Sequence, residues 1–179
     1  VCHQDIKPSN FLSFSLEKVL KIADFGRAWT YNRASPFDGL VGPCQPIYAP
    51  IDRMYRLNEQ VNIDDRLAGD LYALGAIYAL LLTKIPFTPA LISGLNASHK
   101  PYHFNKENPW AGNFGDVLPY LKNAHSSLFA QIVATFNSIW GIGLDPLRNQ
   151  IMADISSLTQ PDPSLRGDKL ARRSGVPPV

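Results

Sequence analysis

The longest apolar stretch of the chain runs from Leu71 to Leu82, twelve residues interrupted only by Gly75. A helix that is apolar on all sides lies in the centre of a domain, so this stretch predicts a buried central helix. Asp70 precedes it and is the expected N-cap. A membrane span needs about 20 apolar residues, and we therefore expect a core helix and no membrane span.

Two further helices are predicted towards the C-terminus. Apolar residues recur at helical spacing between Ser126 and Trp140. Asp145-Pro146 is typical of a helix start, with Asp as the cap and Pro in the first turn, and Pro161-Asp162-Pro163 is expected to stop that helix. Proline and glycine are frequent in residues 26–52 and 88–125, which predicts irregular loops there.

Two short strands are predicted near the N-terminus. Residues 11–14 and 19–23 are mostly apolar, and Ser13 and Lys21 are expected to face outward. The polar stretch 15–18 suits the turn between them. The predicted fold class is therefore α+β, mainly helical with one short β-hairpin.

Composition excludes several classes of protein. The chain has 179 residues, fits one domain, and is 45% hydrophobic, as globular proteins are. Its net charge of +2 is too small to indicate a nucleic-acid partner. Two cysteines, Cys2 and Cys44, do not make a disulfide framework and favour reduced thiols in a cytoplasmic protein. His99, His103 and His125 show no metal-site spacing and are expected at the surface.

The chemistry is concentrated in the first 26 residues. Phosphoryl transfer requires positioning and charge neutralisation more than covalent chemistry. Asp5 can accept the proton of a hydroxyl nucleophile, and Lys7 offers a cation to the transferred phosphate. Asn10 and Asp24 offer the oxygen ligands that Mg²⁺ prefers. Gly26 is expected to allow a sharp turn after Asp24.

The pattern H-x-D-x-K-P-x-N, followed by D-F-G nineteen residues after Asp5, resembles the catalytic loop and metal-binding motif of eukaryotic-type serine/threonine protein kinases. The resemblance implies that residues 1–166 form the mainly helical C-terminal lobe of the kinase fold, and that 167–179 form a flexible tail. It implies ATP and Mg²⁺ as cofactors and a protein as substrate. Asp5 and Lys7 would be catalytic, and Asn10 and Asp24 would hold the metal. The residues expected to contact ATP are Lys7, Ser9, Asn10, Leu12 and Asp24.

Later segments are similar to kinase segments as well. Residues 48–52 resemble the end of the activation loop, and residues 161–166 resemble a late D-P-x-x-R segment. The resemblance implies a partly buried ion pair between Asp52 and Arg166. It also implies that Asp70 supports the catalytic loop and that His3 packs near the Phe25 position.

The chain departs from the kinase pattern at Gln4, where an arginine is usual, and at Gln45, where a threonine is usual. Because a neutral amide cannot pair ionically with phosphate, we expect activity that does not need phosphorylation at Thr30 or Ser35. A glycine-rich loop and a strand lysine are not recognisable in this sequence. The resemblance places them in an N-terminal lobe upstream of position 1, so the 179-residue chain alone is expected to be inactive.

Three functions remain open at this point. The first is a serine/threonine protein kinase, favoured by Asp5, Lys7, Asn10 and Asp24 together. The second is a kinase-like pseudoenzyme that acts as a binding scaffold, for which Gln45 and the missing lobe argue. The third is a small-molecule phosphotransferase of related fold, a group that usually lacks the Lys-Pro step and the full D-F-G.

Overall fold

A computed structural model of the chain describes residues 1–30, 45–56, 62–141 and 145–167. Ser35, Cys44 and all but the first residue of the expected tail lie outside these ranges. Within these ranges the secondary structure consists of two strands and four helices, with single 3₁₀ turns at Pro8–Asn10, Phe25–Arg27, Asp52–Met54, Ala97–His99 and Pro163–Leu165. The longer elements are β1 (Phe11–Phe14), β2 (Val19–Ile22), α1 (Ile63–Thr83), α2 (Phe87–Ser93), α3 (Phe114–Trp140) and α4 (Asp145–Leu158).

Helix α1 is the centre of the core, as predicted, and packs against α2, α3 and α4. It begins two turns earlier than expected, because Asn62 is the N-cap and its side chain accepts a hydrogen bond from the Asp65 amide at 2.8 Å. The prediction of Asp70 as N-cap was wrong: four of the eight residues from Ile63 to Asp70 are charged, so the long apolar run starts late. The helix ends where Lys84 adopts a left-handed conformation with φ 64°.

Close packing holds α1 against α4. A Cβ atom on Gly75 would lie 2.7 Å from Leu158 Cβ and 2.8 Å from a Thr159 methyl carbon, so a glycine is needed at this crossing. By length and composition α1, with a mean hydropathy of 1.2, could cross a membrane, but the core helix of a globular domain meets the same criterion. Tyr72 and Ala79 in α1 are fully buried in the core, which favours a core helix.

The predicted irregular loop over residues 88–125 is confirmed for residues 94–113 and was wrong at both ends. Helix α2 occupies its start, and α3 begins twelve residues before Ser126. Val117 and Leu121 are fully buried on the early turns of α3, so apolar burial offsets the hydrogen bond that Pro119 cannot make inside the helix. The predicted start of α4 at Asp145 and the helical segment up to Trp140 are confirmed.

The predicted hairpin is confirmed, with antiparallel pairing from Phe11 opposite Ile22 to Phe14 opposite Val19. Ser13 and Lys21 are exposed, as expected. Apolar side chains on both strands are exposed as well, namely Leu12, Phe14, Val19 and Leu20. No layer of the described chain covers them, so the hairpin is a ribbon at the edge of the helical body.

The thiol of Cys2 is buried and is not part of a disulfide. Burial, followed by the nearby charge of Asp70, raises its pKa to about 11. The thiol therefore stays protonated and unreactive at neutral pH, in line with the prediction of a reduced cysteine. The cytoplasmic location stays a prediction.

His125 was expected at the surface, but it is buried in the core on α3, whereas His103 is exposed. The Thr159 hydroxyl donates to the Ile155 carbonyl at 2.7 Å. The His125 Nε2 atom lies 3.0 Å from Thr159 Oγ1 and therefore donates to that oxygen as a neutral imidazole. Burial, followed by the positive charge of Arg166, lowers the pKa of His125 from 6.5 to about 4.

The lowered pKa of His125 predicts that acid destabilises the protein. In the unfolded chain the imidazole takes up a proton near pH 6.5, but in the folded chain it does so only near pH 4. Stability is therefore full above the unfolded pKa and falls as the pH falls towards the folded one, by about 2 kcal/mol between pH 7 and pH 5. Urea unfolding at the two pH values should show this loss.

Two glutamine variants test the assignment to His125. In His125→Gln, which has no titrating group, the part of the loss that comes from this residue should disappear. In His103→Gln, which alters an exposed imidazole, the loss should be as in the wild type. If both variants lose the same stability between pH 7 and pH 5, His125 does not have a lowered pKa.

Candidate functional site

The predicted catalytic loop forms a compact, hydrogen-bonded turn. Asp5 is buried, and its Oδ2 atom contacts Lys7 Nζ at 2.8 Å. The Asn10 side-chain amide donates to the Asp5 carbonyl at 2.8 Å and to Asp5 Oδ2 at 3.3 Å. Pro8 begins the 3₁₀ turn that brings Asn10 back towards Asp5. Three of the predicted site residues are thus in direct contact.

Helix α1 holds this loop through Asp70. One carboxylate oxygen accepts from the His3 amide at 2.6 Å and the other from the Gln4 amide at 2.8 Å. Burial raises the pKa of Asp70, and the two backbone hydrogen bonds oppose that rise. The supporting role that the kinase resemblance implies for Asp70 agrees with this geometry.

His3 packs inside the site rather than facing a substrate. Its Nδ1 atom accepts from the Asp5 amide at 3.3 Å, so Nε2 carries the proton and donates to the Ala23 carbonyl at 2.9 Å. The ring centroids of His3 and Phe25 are 4.8 Å apart. The implied packing role of His3 beside Phe25 is consistent with these contacts.

The hairpin brings Asp24 beside the catalytic loop. The Ala23 amide donates to the Asn10 carbonyl at 2.7 Å, which places the next residue, Asp24, at the same end of the ribbon. The left-handed residue of this turn is Asp24, with φ 63°, so the role expected of Gly26 was assigned to the wrong residue. A Cβ on Gly26 would lie 3.2 Å from Asp24 Oδ1, so a larger residue there would require the Asp24 carboxylate to shift slightly.

The donor atoms at this end of the ribbon suit magnesium. Asn10 Oδ1 makes no hydrogen bond to the described residues, and the Asp24 carboxylate is exposed, with a long contact of 3.4 Å from the Gly26 amide. A neutral and a charged oxygen are the types of ligand that Mg²⁺ prefers. In the described part of the chain, no group of three or more His, Cys, Asp or Glu side chains is placed to hold a metal ion.

The remaining predicted contacts of ATP, Ser9 and Leu12, are exposed. Ser9 is exposed in the 3₁₀ turn. Leu12 is exposed on β1, opposite Lys21. Gln45 is also exposed. Their roles in binding ATP or in replacing a threonine stay predictions.

The predicted ion pair between Asp52 and Arg166 is confirmed. Arg166 Nη2 lies 2.6 Å from Asp52 Oδ1, and both side chains are fully buried. The pair joins the 3₁₀ turn Asp52–Met54 to the end of the described chain. The two residues are 114 positions apart in the sequence. The pair therefore stabilises the tertiary fold that carries the site.

Sequence reasoning missed two residues that contact the segment around the catalytic loop, one through its side chain and one through its backbone. Arg66 Nη1 donates to Gln4 Oε1, and Trp29 pairs with Cys2 in a short backbone bridge. A signal for Arg66 exists in the sequence: it precedes Asp70 by four residues, and such residues share one face of a helix.

Comparisons with known proteins give a partial likeness. No protein-family model matches the sequence, and no solved structure matches it. Among the curated proteins that match, cyclin-dependent kinase 7 of Xenopus laevis is 35% identical over 94 residues, which is 50% of this chain and 23% of that protein. The chain thus spans less than a quarter of the length of this relative. The likeness relates the chain to protein kinases.

Proposed function

We propose that the chain is the C-terminal lobe, residues 1–166, of a serine/threonine protein kinase that transfers the γ-phosphate of ATP to a protein hydroxyl. The observation that carries the proposal is the single hydrogen-bonded loop of Asp5, Lys7 and Asn10, with Asp24 brought beside it by the hairpin. The partial likeness to a protein kinase supports the same reaction.

Each site residue has a chemical role in this reaction. Asp5 orients the substrate hydroxyl and accepts its proton, and the Lys7 ammonium, 2.8 Å from Asp5, neutralises charge on the transferred phosphate. Asn10 and Asp24 would hold Mg²⁺, which neutralises phosphate oxygens when bound. Ser9 is proposed to contact the nucleotide.

Exposed apolar side chains on the hairpin and the turn after it favour the proposal that a second lobe covers the nucleotide. Leu12 is 48% exposed and Phe25 is 54% exposed, and both stand next to the loop that would hold the phosphates. Apolar side chains in this position suit the adenine ring and a covering layer of protein. We therefore assign activity to the whole protein and expect none from the 179-residue chain. We propose a location in the cytoplasm separately, from the cysteine content.

Phosphate transfer by the full-length protein tests the proposal. With γ-labelled ATP and Mg²⁺, label should appear on serine or threonine of a protein substrate and should vanish when EDTA removes the metal. The isolated 179-residue chain should transfer none. A full-length protein that neither labels protein nor binds Mg²⁺–ATP would favour the scaffold, and labelling of small molecules alone would favour the small-molecule phosphotransferase.

A further inference from the structure

The side chain of Gln4 joins three parts of the molecule. Its Nε2 atom donates to the Arg27 carbonyl at 2.9 Å, and its Oε1 atom accepts from Arg66 Nη1. Gln4 itself has a left-handed backbone conformation, with φ 61°. This conformation costs free energy for a residue with a side chain, and the contacts of Gln4 on both sides fix it.

One face of α1 supplies the contacts to this residue. Arg66 and Asp70 are four residues apart and lie one turn apart on the helix. Asp70 accepts from the Gln4 main chain at 2.8 Å, while Arg66 donates to the Gln4 side chain. The helix therefore fixes the residue next to Asp5 at both its backbone and its amide.

The same arginine reaches the segment that follows the D-F-G motif. The Arg66 guanidinium carbon lies 5.1 Å from the centre of the Trp29 ring, within the range of a cation–π contact. Trp29 is paired with Cys2 through two backbone hydrogen bonds of 2.8 and 2.9 Å. Arg66 therefore contacts both Gln4 in the catalytic loop and Trp29 in the segment after the D-F-G motif.

We propose that Gln4, Arg66 and Trp29, here called the Gln4 bridge, are positioning residues that hold the segment after the D-F-G motif against the catalytic loop without a phosphate group. Its effect on phosphoryl transfer rests on the proposed kinase function. The chemistry explains why a neutral amide suits position 4. The amide donates to a carbonyl and accepts from a guanidinium, whereas an arginine at position 4 would set two like charges together and need an anion between them.

Paired substitutions in the full-length protein test the bridge. Arg66→Ala, Gln4→Ala and the double variant should each lower kcat roughly tenfold to a hundredfold, because the segment beside Asp5 shifts, while the KM for ATP stays near the wild-type value. Since Gln4 and Arg66 share one contact, the loss of kcat in the double variant should be smaller than the product of the two single losses.

Arg56→Ala is the matched control. Arg56 also contacts the first turn of α1, through Asp65 at 3.5 Å, and also lies near an aromatic ring, that of Phe114. Its loss should leave kcat unchanged. Prior treatment with a phosphatase should also leave wild-type kcat unchanged, because the bridge needs no phosphate.

Hydrogen exchange tests the Gln4 bridge independently of phosphoryl transfer. The Cys2 and Trp29 amides, which bond across the bridge, should exchange faster in Arg66→Ala and Gln4→Ala but not in Arg56→Ala. This result supports the bridge even if the full-length protein proves inactive, in which case the proposed function alone fails. Unchanged exchange in Arg66→Ala, or kcat losses that multiply in the double variant, would overturn the bridge.

Discussion

Replacement of Asp5 by asparagine in the full-length protein is expected to lower kcat for phosphoryl transfer by about 10²–10⁴-fold, the range for loss of a positioned general base. Asparagine keeps the size of the side chain but cannot accept the proton of the substrate hydroxyl. The buried Asp5 carboxylate contacts Lys7 at 2.8 Å and Asn10 at 3.3 Å. Steady-state kinetics with a protein substrate would measure the loss.

The role of Asp5 can be separated from that of Asp24. Because Asp24 is assigned to the metal, Asp24→Asn should weaken binding of Mg²⁺–ATP, which calorimetry would detect, whereas Asp5→Asn should leave that binding nearly unchanged. Asp64→Asn, which alters an exposed carboxylate in the first turn of α1, is the matched control and should keep full activity. An Asp5→Asn protein with more than about a tenth of wild-type kcat would contradict the assigned role.

The sequence predicts the elements whose pattern is local. The short apolar segments on either side of a polar turn predicted the hairpin between residues 11 and 22, and the long apolar run predicted the centre of α1. The start of α1 was misplaced because its cap, Asn62, precedes a segment in which charged and apolar residues are mixed, so no continuous apolar run marks it. The start of α3 was misplaced because Pro119 suggested a loop, although burial of Val117 and Leu121 outweighs one missing hydrogen bond.

The site was predictable where its residues lie in one short segment. The contacts among Asp5, Lys7 and Asn10 join positions at most five residues apart. His125 was misassigned because the partner that accepts its hydrogen bond, Thr159, is 34 residues away. The contact of Arg66 with Gln4 spans 62 residues, and only the tertiary fold brings them together.

Breaking the ion pair between Asp52 and Arg166 is the largest expected loss of stability. Arg166 is fully buried and donates at 2.6 Å to Asp52 Oδ1 and at 2.6 Å to the Gln160 carbonyl. Its guanidinium carbon also lies 4.7 Å from the centre of the Tyr72 ring. Removal of either partner leaves a charge buried without its counterion, which typically costs about 3–5 kcal/mol.

Asp52→Ala and Arg166→Ala should therefore each lower the free energy of unfolding by about 3–5 kcal/mol, as measured by urea denaturation. The double variant Asp52→Leu with Arg166→Met removes both charges and should lose less than either single variant, because no buried charge remains. Lys21→Ala is the control: it breaks an exposed pair with Glu17, 3.9 Å apart, and should cost at most about 1 kcal/mol. Losses in the two alanine variants no larger than in Lys21→Ala would show that the buried pair does not stabilise the fold.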